Sequence, residues 1–251
     1  MTTEASPYHF LVRPATSSRG NVTVHVTDAL REAIVTLAFR PGETLDKGAI
    51  CDQMGVSRFP VSEALARLQA EGLVDIQPQR GSTVSLVRIS DVLEYMLIRK
   101  SLEAEAVRVV TGNHSPELID TLERNMSYQR AAVDMDDAQG FHERDLEFHD
   151  INFGDMSFSK VKAVIENTRA NLDRARRLIL APRRLELSHQ EHRRILDGIK
   201  AGDGVKAAGM MRAHIDSVMA ELLAFARDNA GLFADGERLT DGADPVSFPF
   251  G

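Results

Sequence analysis

Apolar residues recur along this chain at helical spacing, then at strand spacing, and from residue 89 onward at helical spacing alone. Val61, Ala64, Leu65 and Leu68 stand at i, i+3, i+4 and i+7, one apolar stripe on a helix opening at Ser57. At about 100° per residue, Phe59, Ser62, Glu63 and Ala66 point away from that stripe. Immediately upstream, Met54-Gly55-Val56 ends a shorter helix in a glycine turn. Leu30, Ile34 and Leu37 repeat at i, i+4 and i+7 and predict a first helix over residues 27–38, closed by the turn Arg40-Pro41-Gly42. Downstream, residues 73–76 and 82–87 read as two strands around Gln77-Pro78-Gln79-Arg80-Gly81, a β-hairpin. Its tip carries one cation, Arg80, beside Gly81, which permits close backbone approach.

A helix held by its inner face, with a mixed outer face and a hairpin behind it, is what a winged helix-turn-helix presents to a major groove. Ser57, Arg58, Phe59, Ser62 and Arg67 on the helix, with Arg80 and Gly81 in the wing, are the candidate DNA contacts. From residue 89 to about residue 230 strand-like alternation disappears. Leu93, Met96, Leu97 and Leu102 begin one helix, and Leu118, Leu122, Met126 and Val133 mark another. Residues 141–153, 161–180, 185–199 and 205–225 supply four more, so this part is an all-α bundle. The fold class is therefore mainly α. It comprises an N-terminal arm (1–26), a winged helix-turn-helix (27–88), an all-helical domain (89–230) and a tail (231–251). Gly, Asp and Pro with scattered aromatics mark that tail as poorly ordered.

Composition narrows the classes. A chain of 251 residues, 43% hydrophobic, can build two modest cores. No run approaches the roughly 20 apolar residues of a membrane span. The start lacks a basic stretch followed by an apolar block, so no secretory signal is evident. One cysteine, Cys51, suits a reducing compartment and reads as a packed small hydrophobe, and the expected location is cytoplasmic. Residues 27–88 hold seven Lys and Arg against eight Asp and Glu, a net of −1. Non-specific DNA affinity comes from phosphate neutralisation, so any DNA contact here must be local, at Arg58, Arg67 and Arg80. Two such domains on one operator would double the contacts, which brings dimerisation into the reading.

Polar residues interrupt the apolar faces of the bundle. Asp145 and His149 stand at i and i+4 among Phe141, Phe148 and Asn152, a spacing that lets two side chains meet. His192 lies at the centre of the face formed by Leu185, Leu196 and Ile199. His214 shares a side with Ala207, Met210, Val218 and Leu222. One Asp and three His directed into a core need partners, because burying them unpaired is costly. Hydrogen bonds within the core would serve, and so would a divalent metal, Zn, Ni, Mn or Fe. Arg99 shares a helix side with Val92, Tyr95, Ala106 and Val110, with Glu103 four residues on as an intrahelical partner. Arg174, Arg176, Arg177, Arg183 and Arg184 read as a solvated cationic face.

The N-terminal part resembles the GntR family of bacterial transcription regulators. The resemblance rests on Pro41-Gly42-Glu43-Thr44-Leu45, Gly55-Val56-Ser57-Arg58, Pro60-Val61, Glu63-Ala64-Leu65, Arg67-Leu68, Glu71-Gly72-Leu73 and Arg80-Gly81, in the family order. Two positions depart from it: Phe59 stands where the family usually has a small polar residue, and Ser62 where it usually has a DNA-contacting arginine. Phe59 has two uses open to it, packing on a thymine methyl or folding against the wing. Asp145-x-x-Phe148-His149, Glu191-His192-x-x-Ile195-Leu196 and Met211-x-x-His214-Ile215 resemble the metal-site motifs of the FadR-type C-terminal ligand-binding domain. The family's glycine-asparagine turn after the first histidine is not clear here, Gly154-Asp155-Met156 standing near it.

That resemblance implies Asp145, His149, His192 and His214 as ligands of a divalent metal and a small organic acid beside it. A carboxylate effector needs an opposing cation, which Arg99 can supply bidentately, with Glu103 and His189 nearby as further effector-site candidates. It implies a homodimer whose two recognition helices address half-sites about 34 Å apart on duplex DNA, at a separation that effector and metal set. The chain is thus expected to be a regulator and not an enzyme. A metal-dependent enzyme built on the Asp145/His149/His192/His214 site is the alternative, and a metal that only staples the bundle is a third reading.

Overall fold

A computed structural model of the chain describes residues 8–12, 19–154 and 159–237. They form two compact units. One holds the described residues up to Arg88 together with Gly231–Ala234, and the other runs from Ile89 to Ala230 and takes in Asp235.

The first unit contains α1 (Arg19–Val35), β1 (Thr44–Leu45), α2 (Lys47–Met54), α3 (Arg58–Ala70), β2 (Val74–Gln77) and β3 (Gly81–Val84). The Asp46 carboxylate accepts hydrogen bonds from the Gly48 and Ala49 N–H groups and so starts α2, while Gly55, at φ +65°, ends it in the left-handed region. The reversal sends α3 across α2. Val61, Ala64, Leu65 and Leu68 are fully buried, as their spacing predicts, and so are Leu30 and Ile34 of α1 and Ile50 and Met54 of α2, the helices that pack on α3. Full burial of each larger aliphatic contributes roughly 1.5–3 kcal/mol. The strands form an antiparallel sheet in the order β1-β3-β2, with Thr44 opposite Thr83 and Val74 opposite Val84. β1 was not expected from sequence; two residues carry no period.

Helix α1 begins eight residues before the predicted residue 27, inside the stretch read as an arm. Val22, Thr23, Val24, Val26 and Thr27 are β-branched, weak helix formers that hid the helix. Packing overrides them: Val26 is fully buried, Thr23 and Thr27 nearly so, and the Thr27 hydroxyl donates to the Thr23 carbonyl at 2.8 Å. The helix also stops short of residue 38, with Leu37 at φ +64° turning the chain to bury Phe39. Residues 8–12 pack as well. Tyr8 and Leu11 are buried, the Asp46 N–H donates to the Tyr8 hydroxyl, and Gln53 Nε2 donates to the Leu11 carbonyl.

The second unit is six helices: α4 (Ile89–Asn113), α5 (Pro116–Asp134), α6 (Ala138–Gly154), α7 (Ser159–Arg177), α8 (Pro182–Lys200) and α9 (Gly204–Asp228). α4 lies along α9, α5 against α6 and α8, and α8 against α9. The α8–α9 approach is close: a Cβ on Gly198 would sit 3.1 Å from Cα and Cβ of Ala207. No helix among the described residues is long and apolar enough to cross a membrane.

The reading of residues 231–251 as poorly ordered fails for its first seven. Phe233 is buried and bridges Val87, and the Asp235 carboxylate accepts the Ile89 and Ser90 N–H groups at 2.7 and 3.0 Å, capping α4. Composition does not register a backbone cap supplied from the far end of the chain. Residues 238–251 lie outside the described residues, as does most of the Gly154-Asp155-Met156 turn.

Candidate metal centre and nucleic-acid interface

Three helices bring the polar residues of the bundle to one point. Asp145 and His149 come from α6, His192 from α8 and His214 from α9, all buried. One ligand atom from each lies within 4.8 Å of the others. His192 Nε2 is 3.3 Å from His214 Nε2 and 3.6 Å from Asp145 Oδ1, and His149 Nε2 is 4.0 Å from the same oxygen. Phe148 stacks on the His192 ring with centroids 4.2 Å apart, fixing its plane.

The opposite nitrogen of each ring faces a side-chain oxygen. His192 Nδ1 donates to Gln129 Oε1 at 2.9 Å and His214 Nδ1 to Glu191 Oε2 at 2.8 Å, while His149 Nδ1 lies 2.7 Å from Glu103 Oε2. The Gln129 amide is itself oriented: its Nε2 donates to Asn125 Oδ1, and Asn125 Nδ2 donates to the Arg144 carbonyl and to Glu147. With the protons on Nδ1, the Nε2 lone pairs face inward, where His192 and His214 present them to each other and Asp145 Oδ1 has no hydrogen-bond partner. Burial pushes His192 and His214 well below the ordinary histidine value, with neighbouring histidines and Arg176 adding to it, so both are neutral. Burial works to raise the Asp145 carboxyl, but the Arg176 guanidinium against it holds it well below the carboxylate range. Three ring nitrogens and one carboxylate, with Gln129, Glu191 and Arg176 bonded behind His192, His214 and Asp145 and Glu103 Oε2 2.7 Å from His149 Nδ1, are a donor set that can hold a divalent cation.

Beside the cluster is a small cavity lined by Arg99, Glu103, His149, Asp150, Asp173 and Arg176 with apolar neighbours. Arg99 is buried and already bonded to Glu103, Nε to Oε1 at 2.5 Å and Nη2 to Oε2 at 3.3 Å. Burial favours a neutral Glu103, yet Arg99 and His149 together keep it ionised well below its usual range. His189 does not join them. Half-buried toward α5 with Arg130 and Arg193 as charged neighbours, it lines neither cavity flanking Asp145.

The cationic run is not a solvated face: Arg174, Arg176 and Arg184 are buried. Arg176 Nη2 donates to Asp145 Oδ2 at 2.5 Å, and Arg184 donates to Ser188, Ser217 and Glu191. Consecutive arginines look alike in sequence, which concealed that Arg174, Arg176 and Arg184 turn inward while Arg183 stays exposed. Gln129, Glu191 and Arg176 were therefore missed as parts of the site. Gln129 left a signal, a polar residue on the buried α5 face of Leu118, Leu122 and Met126.

In the first unit Ser57, Arg58, Phe59, Ser62 and Arg67 are exposed on α3, and Arg80 and Gly81 are exposed at the wing tip. Ser57 is the N-cap but its hydroxyl makes no capping bond. Arg67 pairs with Glu63 at 2.7 Å. Phe59 is 74% exposed, so its ring does not fold against the wing.

Comparison with known proteins places both halves. Residues 22–84 match the family of bacterial regulatory proteins of the gntR type, and residues 94–217 match the FCD domain. An HTH-type transcriptional regulator of Streptomyces ambofaciens is 30% identical over 210 residues, 82% of this chain and 86% of its own length. The chain belongs to the GntR family. Another relative of this GntR-family regulator is the HTH-type transcriptional repressor RspR of Escherichia coli K12, 27% identical over 82% of this chain and 91% of its own. In fold, the regulator is similar to a crystal structure of a GntR regulator from Rhodococcus sp. RHA1, with TM-score 0.69 at 21% identity, covering 81% of this chain and 98% of that one. It is similar also to E. coli McbR/YncC, with TM-score 0.67 at 21% identity over 83% and 99%. The four clustered residues fall inside the FCD match and the α3 and wing residues inside the GntR match. This is a DNA-binding transcription regulator.

Proposed function

We propose that this regulator binds its operator as a cytoplasmic homodimer, and that a divalent metal with a small organic acid in the FCD unit controls the affinity. The observation that carries the reading is the convergence of His149, His192 and His214 ring nitrogens with Asp145 Oδ1, the Nδ1 atoms of His192 and His214 held by Gln129 and Glu191 and that of His149 2.7 Å from Glu103. Asp145, His149, His192 and His214 hold the metal. Zn, Ni, Mn and Fe all suit imidazole with carboxylate. The bound ion supplies a Lewis-acidic contact for an effector carboxylate.

Arg176 and Arg99 supply the cationic side of that pocket. Arg176 Nη1 makes no hydrogen bond, whereas Arg99 is engaged by Glu103, so Arg176 supports effector capture better than Arg99 alone. Glu103 fits a role as the tether of His149 better than direct contact with an anionic ligand, which it would repel. On the DNA side, Ser57, Arg58, Ser62, Arg67, Arg80 and Gly81 contact the duplex. Ligand binding alters operator affinity only through different affinities for the DNA-competent and DNA-incompetent arrangements.

The test is a thermal-shift screen of small carboxylates on metal-loaded and chelator-treated protein. Stabilising acids should lose their effect on chelation and in the His214→Ala variant. Hits that survive chelation would discard the metal-anchored pose, and consumption of the acid would revive the enzyme reading.

A further inference from the structure

We propose that Phe59 is a specificity-determining residue that reads a thymine methyl group in the operator. This rests on the DNA-binding reading of α3 and adds a base preference to it. Phe59 is the second residue of α3, at the end of a recognition helix that approaches base edges. It points away from the buried stripe of Val61, Ala64, Leu65 and Leu68, and three-quarters of its surface is open. Around it stand the uncapped Ser57 hydroxyl, the exposed Arg58 and, one turn on, the short exposed Ser62, which leaves the ring uncovered. Those neighbours can hydrogen-bond to phosphates or bases. The phenyl ring cannot. Of the groups a major groove displays, the C5-methyl of thymine is the apolar one. Wedging between base steps belongs to minor-groove binders, so a helix lying in the major groove favours the methyl contact.

Charge on the same surface adds a second reason. The unit carries a net charge of −1 over residues 27–88, and Arg67 is tied to Glu63, which also accepts from Thr23 at 3.3 Å. With phosphate attraction this modest, discrimination between sequences depends on contacts that draw on no charge. The Phe59 ring offers one.

The experiment uses the full-length protein. Preferred duplexes are selected from a randomised pool, and each thymine of the best one is replaced singly by deoxyuridine, which removes only the methyl. We expect one thymine per half-site whose methyl loss weakens wild-type binding about fourfold, the scale of one methylene-sized apolar contact. Phe59→Ala should bind the parent duplex about tenfold more weakly, ignore that deoxyuridine, and keep the wild-type dependence of affinity on salt. Phe59→Leu should retain the methyl preference, which separates lost contact from lost folding. If every deoxyuridine duplex binds the wild type as tightly as the parent, or if Phe59→Ala suffers the same methyl penalty, the assignment is wrong. If selection enriches no duplex at all, the DNA-binding reading itself fails, a different result from an enriched duplex with no methyl effect.

Discussion

A neutral imidazole has one lone pair to give, and at His192 and His214 the bond to Nδ1 decides that Nε2 gives it. Gln129→Leu keeps the volume but removes that acceptor, so metal affinity should fall about 10–100-fold by chelator competition while thermal stability changes little. The same two rings set a pH response in metal-free protein. Their folded values lie below 6.5, so the unfolded chain takes up more protons as pH falls through 6.5. The stability present above that value is lost below it. Between about pH 7.5 and about pH 5.5 the midpoint of thermal unfolding should drop, and the slope should be shallower in His192→Leu. A flat profile would mean these rings are solvated. At this scale the four inward polar residues were legible because polar residues on apolar stripes stand out. Arg176 and Glu191 were not: each is one charge among several, and only the helix rotation tells which turns inward.

Helices are the most legible elements here because a stripe sustained over four or five turns survives local noise. α6 to α9 lie within a few residues of their predicted spans, α4 and α5 contain the residues expected to mark them, and the α3 stripe is buried in full. The misses share a cause. α1 was shortened by its β-branched start, β1 was too brief for a pattern, and the cap on α4 comes from Asp235, 146 residues beyond Ile89. No local rule finds such a cap. Asp235→Ala leaves the first N–H groups of α4 without acceptors and should cost about 1 kcal/mol, read as a lower urea midpoint with unchanged slope. An unaltered midpoint would show that water replaces the carboxylate at no cost.

At the level of the molecule, weak local charge makes each arginine count. Arg58→Ala should lower the slope of log affinity against log salt by about 1, and Arg67→Ala by less, because Glu63 already partners Arg67. Equal effects would mean the Glu63 pair breaks on DNA. Sedimentation should find a dimer whose unfolding temperature rises with added metal. Domain order was readable from sequence through the change of period at residue 89, whereas the seating of Gly231–Ala234 with the first unit was not. Cys51, buried and with its thiol pushed up by that burial, is the only cysteine of a chain without tryptophan. An alkylating dye therefore stays off until the winged unit opens. Labelling kinetics then time the loosening of the DNA-reading half by itself, in full-length protein where a calorimeter would record both halves melting together.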